Sequence, residues 1–418
     1  MGKLHVTKNK VKVYSYDMPH LHGFHLTLNL RAGDIYENIP GITHFLEHVV
    51  QRGVEDLFEK DETNEIRKYG FYLNASTYTN RMQFEISGNS KFFRQACRIF
   101  ANHLDMNALT PQAFRIEKER ICREVEEDFL PSDIFQLSTD TVWEDTSLAN
   151  HRTAEALAKI TLSQLKAEWK KCFTAKNMFF YITGAIPAED LEYFYGLIEA
   201  YPVNFGGNER KNIVAVPPNF MKRNINIYAM PVSTHTIISF NFDFDTAKYN
   251  IYEINFLDNY LFSGSDSLLY NRLSTKKGLI YEGSGGIWCY NNAGNINYRY
   301  EVASEELIES VKIVIETLSG IKTEIFDNDF EGVMIDFVEN THKVVDNIEN
   351  MNYEMMENHI FSYDNIDYSQ LVERYRAISK ERLMQMAREI FAPDNITIVL
   401  KWEKKPNLKE IRKIVAGI

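Results

Sequence analysis

The chain has 418 residues and a mass of 48.7 kDa, with 44% hydrophobic and 25% charged residues and a mean hydropathy of −0.32. Its 27 Phe, 23 Tyr and 4 Trp exclude low-complexity disorder, and no apolar run approaches the roughly 20 residues a membrane-spanning helix needs. A net charge of −12 leaves no broad basic face, so neither nucleic acid nor a membrane is expected as a partner; the acidic surface suits basic or neutral partners, or solubility alone.

The opening Met-Gly-Lys-Leu-His-Val reads as neither a secretory signal nor a myristoylation site, since no apolar stretch follows and Val6 stands where Ser or Thr is wanted. Four scattered cysteines, Cys97, Cys122, Cys172 and Cys289, lack Cys-x-x-Cys spacing and read as reduced thiols, so a cytoplasmic location is expected.

In chain order, Val11 to Tyr16 and Phe24 to Leu30 alternate as strands, and a helical pattern covers Ile42 to Val50. Phe71 to Thr79 and Met82 to Ser87 read as a second strand pair, followed by helices over Lys91 to Asp105 and Pro111 to Asp128. Next, Ile160-Thr161-Leu162-Ser163-Gln164-Leu165 leads through a helix to Phe173-Thr174-Ala175-Lys176-Asn177 and an apolar strand from Met178 to Ile182. The same passage returns at a constant offset of 218 residues: Ile378 to Leu383, then Phe391 to Asn395, then Ile396 to Leu400. Thr161 and Ser379 each stand where a hydroxyl caps a helix.

This recurrence implies two related halves. Gly206-Gly207 and Pro217-Pro218 break the pattern between Tyr201 and Asn219, giving domains over 1–205 and 219–418. The second half opens like the first, with strands over Ile225 to Met230 and Thr236 to Phe242 before a helix near Tyr252 to Phe262. The expected class is α+β: two related α/β halves, each a mostly antiparallel sheet with helices packed on one face.

Chemistry enters at His44-Phe45-Leu46-Glu47-His48. On a helix, His44 and His48 stand at i and i+4, so both imidazoles leave one face and can share one Zn²⁺. Glu47 lies close to that face without sharing the metal, where a base for an activated water belongs. The bland alternative is two unrelated core or surface histidines.

A catalytic zinc takes a third protein ligand. Thr110-Pro111 opens a second helix whose apolar stripe is Phe114, Ile121, Val125 and Phe129. Glu117 and Glu124 border that stripe, whereas Glu119, Glu126 and Glu127 point away. Carboxylates beside a buried stripe call for compensation, and a divalent cation would provide it; acidic residues placed for solubility are the alternative.

His44-x-x-Glu47-His48 followed by Glu124, with Glu117 seven residues before it, resembles the pitrilysin/insulinase family of zinc peptidases, which carry the inverted zincin motif. The likeness extends over nearly the whole chain. Ala32 to Glu37 resembles the family's approach to its active helix, and Asn74-Ala75-Ser76-Thr77 its substrate-binding strand. Leu268-Leu269-Tyr270 through Lys277-Gly278-Leu279-Ile280-Tyr281 resembles the segment that offers an Arg and a Tyr to substrate.

The resemblance implies zinc held by His44, His48 and Glu124, Glu47 as general base, Glu117 orienting the site, and Tyr281 steadying the oxyanion. Asn74 and Ala75 would bind the peptide as an added strand, so that short or unfolded peptides are cleaved inside a two-lobed chamber. One departure stands out: Ser274 occupies the family arginine's place, with Arg272 as a possible substitute out of register. Two such halves make one lobe, half of a clamshell. The resemblance therefore implies a second chain, either the same chain in a homodimer or a metal-free relative in a heterodimer. A non-catalytic pairing or peptide-binding subunit is the alternative, favoured by the missing arginine and opposed by the intact ligand set.

Overall fold

A computed structural model describes residues 2–58, 64–128, 133–144, 146–149, 153–203, 209–231, 235–264, 266–362 and 368–418. The expected Phe129 and Gly206-Gly207 lie outside the described residues. Among those described, no helix is long and apolar enough to cross a membrane.

The first sheet contains β1 (Lys3–Val6), β2 (Lys12–Asp17), β3 (Gly23–Leu30), β4 (Tyr72–Thr77), β5 (Met82–Asn89) and β6 (Met178–Gly184), in the order β1-β2-β6-β3-β5-β4. The second contains β7 (Asn226–Pro231), β8 (Thr236–Phe244), β9 (Gly283–Cys289), β10 (Gly294–Val302) and β11 (Thr397–Trp402), in the order β7-β11-β8-β10-β9. In each sheet the first and last strands of the repeat, β2 with β6 and β7 with β11, run parallel, and the other pairs are antiparallel. Strand order and direction therefore repeat together, the topological counterpart of the recurring sequence.

The repeat has matching local chemistry. The Thr161 side chain accepts from the Gln164 N–H in a capping box, and Ser379 accepts from the Arg382 N–H. Asn177 and Asn395, both buried, turn their amides back onto Lys171 O and Ile390 O at the end of the preceding helix.

The chain divides into two compact units that do not follow a single cut between residues 205 and 219. One comprises Met1–Asp128, Asn150–Asn212 and His342–Tyr368; the other Phe129–Ala149, Ile213–Thr341 and Ser369–Ile418. Each half thus lends a segment to the opposite unit. In the first unit the half's own helices, such as Ile42–Phe58 and Phe93–Phe100, pack on one face of the sheet. The borrowed helix Ile348–Ser362 packs on β3 and β6 and closes a core of Tyr14, Phe179, Tyr181, Met351, Met355 and Met356.

β3 shows how both faces come to be covered. Phe24, Leu26, Leu28 and Leu30 alternate with His25, Thr27 and Asn29, a pattern normally read as core side and solvent side. Here both rows are buried. Thr27 donates to Asn352 Oδ1 at 2.8 Å, and the Asn352 amide donates to His25 O and Tyr181 O, so the buried polar row is hydrogen-bonded by the borrowed helix. In the second unit the borrowed helix Ile134–Val142 packs on β8 and β11. Buried Arg223 joins Asp243 of β8, at 2.7 Å, to Val142 O at the end of that helix, also at 2.7 Å.

Candidate metal centre

Two helices of the first unit build the centre. Ile42–Phe58 is anchored by an apolar stripe of Phe45, Leu46, Val49, Val50 and Val54, all fully buried. Its first turn is capped by Glu37, whose carboxylate accepts from the Gly41 N–H (2.7 Å), the Thr43 N–H (2.9 Å) and the Thr43 hydroxyl. Farther along, Gly53 lets the helix press against Ala108, where a Cβ would stand 1.9 Å from the carbonyl oxygen.

Pro111–Asp128 starts from Thr110, whose hydroxyl accepts from the Ala113 N–H. It docks on the first helix through buried Ala113, Ile121 and Val125 and through a stack of Phe114 on Phe45 at 5.3 Å. The apolar stripe read from the sequence thus turns Glu117 and Glu124 toward the two histidines.

His44 Nε2 and His48 Nε2 are 3.1 Å apart; Glu124 Oε1 lies 3.3 Å from the first and Oε2 3.4 Å from the second. A tetrahedral ion with ligand bonds of about 2.0–2.1 Å holds its ligand atoms about 3.3–3.4 Å apart, so this triangle has the spacing of three corners around Zn²⁺. The donor types, two imidazoles and one carboxylate, also suit zinc. Among the described residues this is the one group of three or more His, Cys, Asp or Glu able to hold a metal ion.

Glu117, 2% exposed, places Oε2 3.1 Å from His48 Nδ1. A carboxylate on that nitrogen keeps the proton on Nδ1 and leaves the Nε2 lone pair facing the centre. Burial is the largest influence on His48 and pulls its pKa down. The Glu117 hydrogen bond and the charges of Glu47, Glu124 and Glu117 outweigh it, and the net direction is up. Glu124 is held below its ordinary range, first by its hydrogen bond to His44.

Glu47, 5% exposed, accepts from the Thr77 hydroxyl of β4 at 3.3 Å. It borders an open cleft of about 230 Å³ together with His48, Glu124, Asn74 and Ala75. Among the described residues β4 is the edge of its sheet and pairs with β5 alone, so its outer main-chain groups face away from the sheet, where another strand can add. The Asn74 amide donates to Glu85 Oε1 at 3.0 Å on the far side of the sheet.

His44, Glu47, His48, Asn74, Ala75, Glu117 and Glu124 all belong to the first unit. Arg272 and Tyr281 belong to the second, where the Arg272 guanidinium donates to Thr317 of helix Leu307–Gly320 at 3.1 Å, while Tyr281 is 93% exposed. Sequence reasoning passed over the capping role of Glu37 and the hydroxyl of Thr77. A carboxylate a few residues before a helix start is a legible signal; a contact between strand and helix residues thirty positions apart is not.

The chain matches the family model described as Insulinase (Peptidase family M16) over residues 13–155 and the one described as Peptidase M16 inactive domain over residues 159–335. It is 20% identical to the uncharacterized zinc protease YmxG of Bacillus subtilis, over 94% of this chain and 97% of that protein. It is also 30% identical to human mitochondrial-processing peptidase subunit beta, over 28% of this chain and 25% of that one. Among solved structures, a protease from Helicobacter pylori superposes with a TM-score of 0.84 at 15% identity, covering 96% of this chain and 99% of that one. A peptidase M16 inactive domain from Pseudomonas fluorescens gives 0.82 at 15% identity, over 97% and 100%. With both family models matched in order and the fold shared across nearly the full length, the chain belongs to the insulinase family of peptidases, family M16.

Proposed function

We propose that this protein is a zinc-dependent endopeptidase acting on short or unfolded peptides. The observation that carries the reading is the convergence of His44, His48 and Glu124 on one point, with Glu47 beside it and an unpaired strand edge along the same cleft. Relatives named as zinc proteases support the choice of metal.

His44, His48 and Glu124 would hold the ion, which when bound polarises the scissile carbonyl and acidifies a water. Glu47 accepts the water proton and passes it to the leaving amine, a role its burial and its Thr77 hydrogen bond favour by fixing the carboxylate. Glu117 keeps His48 in the ligating tautomer. The β4 edge at Asn74-Ala75 takes the peptide as an added strand, through main-chain bonds that tolerate many sequences. Tyr281, with its side chain free of packing, is the proposed donor to the developing oxyanion. Arg272 donates to Thr317, a contact that does not favour it as a substitute clamp; with Ser274 in the arginine's place, a related chain would supply the arginine, whereas a second copy of this chain would lack it as well. Subunit status in the relative named as a processing-peptidase subunit supports a second chain, either the same or related.

Metal analysis and a quenched fluorogenic peptide test the proposal together. One zinc per chain and hydrolysis are expected from the native protein; Glu47→Gln should keep the zinc and lose kcat by about a hundredfold or more. A second reading, a peptide-binding subunit without activity, is favoured by Ser274 and by the match to the inactive-domain model. Zinc and peptide binding with no hydrolysis, either alone or with a co-purifying chain, would decide for it.

A further inference from the structure

Behind the edge strand the first unit holds a second cavity of about 220 Å³, lined by His25, Gln83, Glu85, Glu349, Asn352 and Tyr353, among others. Register fixes its side of the sheet. Asn74 pairs with Glu85, Tyr72 with Ser87, Thr27 with Glu85 and His25 with Ser87, so all these side chains share one face. Leu73, Ala75 and Thr77 occupy the other, where Thr77 meets Glu47. A peptide added to β4 would alternate in the same way, directing every second side chain away from the metal and toward this cavity.

The lining is rich in acceptors and anions. His25 is 4% exposed and its Nε2 lies 3.4 Å from Glu85 Oε2, an arrangement in which the ring donates to the carboxylate. Its Nδ1 is buried and has no hydrogen-bond partner among the described residues. Glu85 is held below its ordinary range, first by the His25 hydrogen bond, which keeps it ionised. Glu349 stands in the first turn of helix Ile348–Ser362, where the helix end favours a carboxylate. Two half-exposed aromatic rings complete the setting: Tyr353, whose ring already has the Arg81 guanidinium 5.8 Å from its centroid, lines the cavity, and Tyr72 lies within the field of both Glu85 and Glu349. Two carboxylates, an unpaired ring nitrogen and aromatic faces are the surroundings of a cation bearing N–H donors.

We infer that this cavity is a specificity subsite that takes the ammonium or guanidinium of a lysine or arginine side chain from the peptide bound along β4. The inference rests on the peptidase reading for the placement of the peptide. Glu85 lies one strand in from the edge, and two strand spacings, about 9–10 Å, separate it from the backbone of an added strand. An extended basic side chain covers most of that distance, whereas a shorter or apolar one leaves Glu349 to water and Glu85 to its Asn74 and His25 partners.

The test uses the full-length Glu47→Gln protein loaded with zinc and fluorescein-labelled decapeptides that carry lysine or its isostere norleucine at each position in turn, read by anisotropy. One register should favour lysine about three- to tenfold, and raised salt should erode the preference. Glu349→Gln, at an exposed helical position that folding tolerates, should reduce the ratio; Glu349→Lys should bring it to one or invert it. Equal binding of both peptides at every position, or a preference that survives both variants, would overturn the subsite while leaving the peptidase reading intact. If the native protein cleaves no norleucine peptide and the Glu47→Gln protein binds none, the peptidase reading itself falls, and the subsite with it.

Discussion

The carboxylate of Glu117 offers a measurable separation between holding zinc and doing chemistry. Its Oε2 is 3.1 Å from His48 Nδ1, it is 2% exposed, and its other oxygen lies 3.8 Å from Arg120 Nη1. Glu117→Gln preserves shape, and the amide oxygen can still accept the Nδ1–H, so the orientation of the imidazole is retained. The charge that raises ligand basicity is lost. Loss of such a partner typically weakens metal binding 10–100-fold, or about 1.4–2.7 kcal/mol. Zinc dissociation constants at pH 7.5, from competition with a chromophoric chelator, measure this directly, and denaturant unfolding of the metal-free proteins checks that the fold is retained. Affinity equal to that of the native protein would refute the orienting role. Complete loss of zinc would refute it in the other direction, making Glu117 a ligand in its own right.

His48→Ala should abolish stoichiometric zinc, by removing one of three converging donors; unchanged zinc content by atomic absorption would remove His48 from the ligand set. Glu37 is raised to about 7 by burial and then by Asp34, against the hydrogen bonds from Thr43 and Gly41. A carboxyl whose folded pKa is raised stabilises the fold below its unfolded value of 4.5, and that stability is lost as pH rises through about 7. Relative to Glu37→Gln, the native protein should therefore lose up to about 3 kcal/mol between pH 4.5 and 8, and parallel stability curves from urea melts would contradict the assignment. Gly53→Ala sets a helix-propensity gain of about 1 kcal/mol against a Cβ overlapping the Ala108 backbone; the overlap should prevail, with a net loss of about 1–3 kcal/mol in denaturant unfolding.

The features legible in the sequence were those that follow from local period. The i, i+4 spacing of His44 and His48, and the position of Glu117 and Glu124 along an apolar stripe, are properties of single helices, and docking the two stripes through Phe45 and Phe114 brought the donors together. The duplicated topology was legible for a similar reason: capped helix, buried asparagine and apolar strand recur in fixed order. The exchange of segments was not. The helices Ile134–Val142 and Ile348–Ser362 were not read from the sequence, and nothing local in them names the sheet that receives them. His25, Thr27 and Asn29 read as a solvent-facing row because the partner that satisfies them, Asn352, is more than 300 residues away. Arg272 likewise gave no sign in sequence of its attachment to Thr317.

The exchange also bears on how the site is held. A two-helix metal centre on one face of a sheet is only as rigid as the strands beneath it, and β4 is an edge strand with one neighbour. Through β5, that neighbour, the edge is coupled to β3, whose opposite face is bound by Asn352 of the borrowed helix. Thr77 then connects β4 to Glu47 on one face, and Asn74 connects it to Glu85 and His25 on the other. The strand that would carry the peptide is therefore tied on one side to the proposed base and on the other to the acidic cavity. Three carboxylates, Glu47, Glu117 and Glu124, act on His48, and two of them are almost wholly buried, an arrangement that is unfavourable without a compensating cation. Tying the edge strand to this centre makes the position of the peptide backbone depend on the same packing that orients the ligands, so small shifts in either would be felt by both.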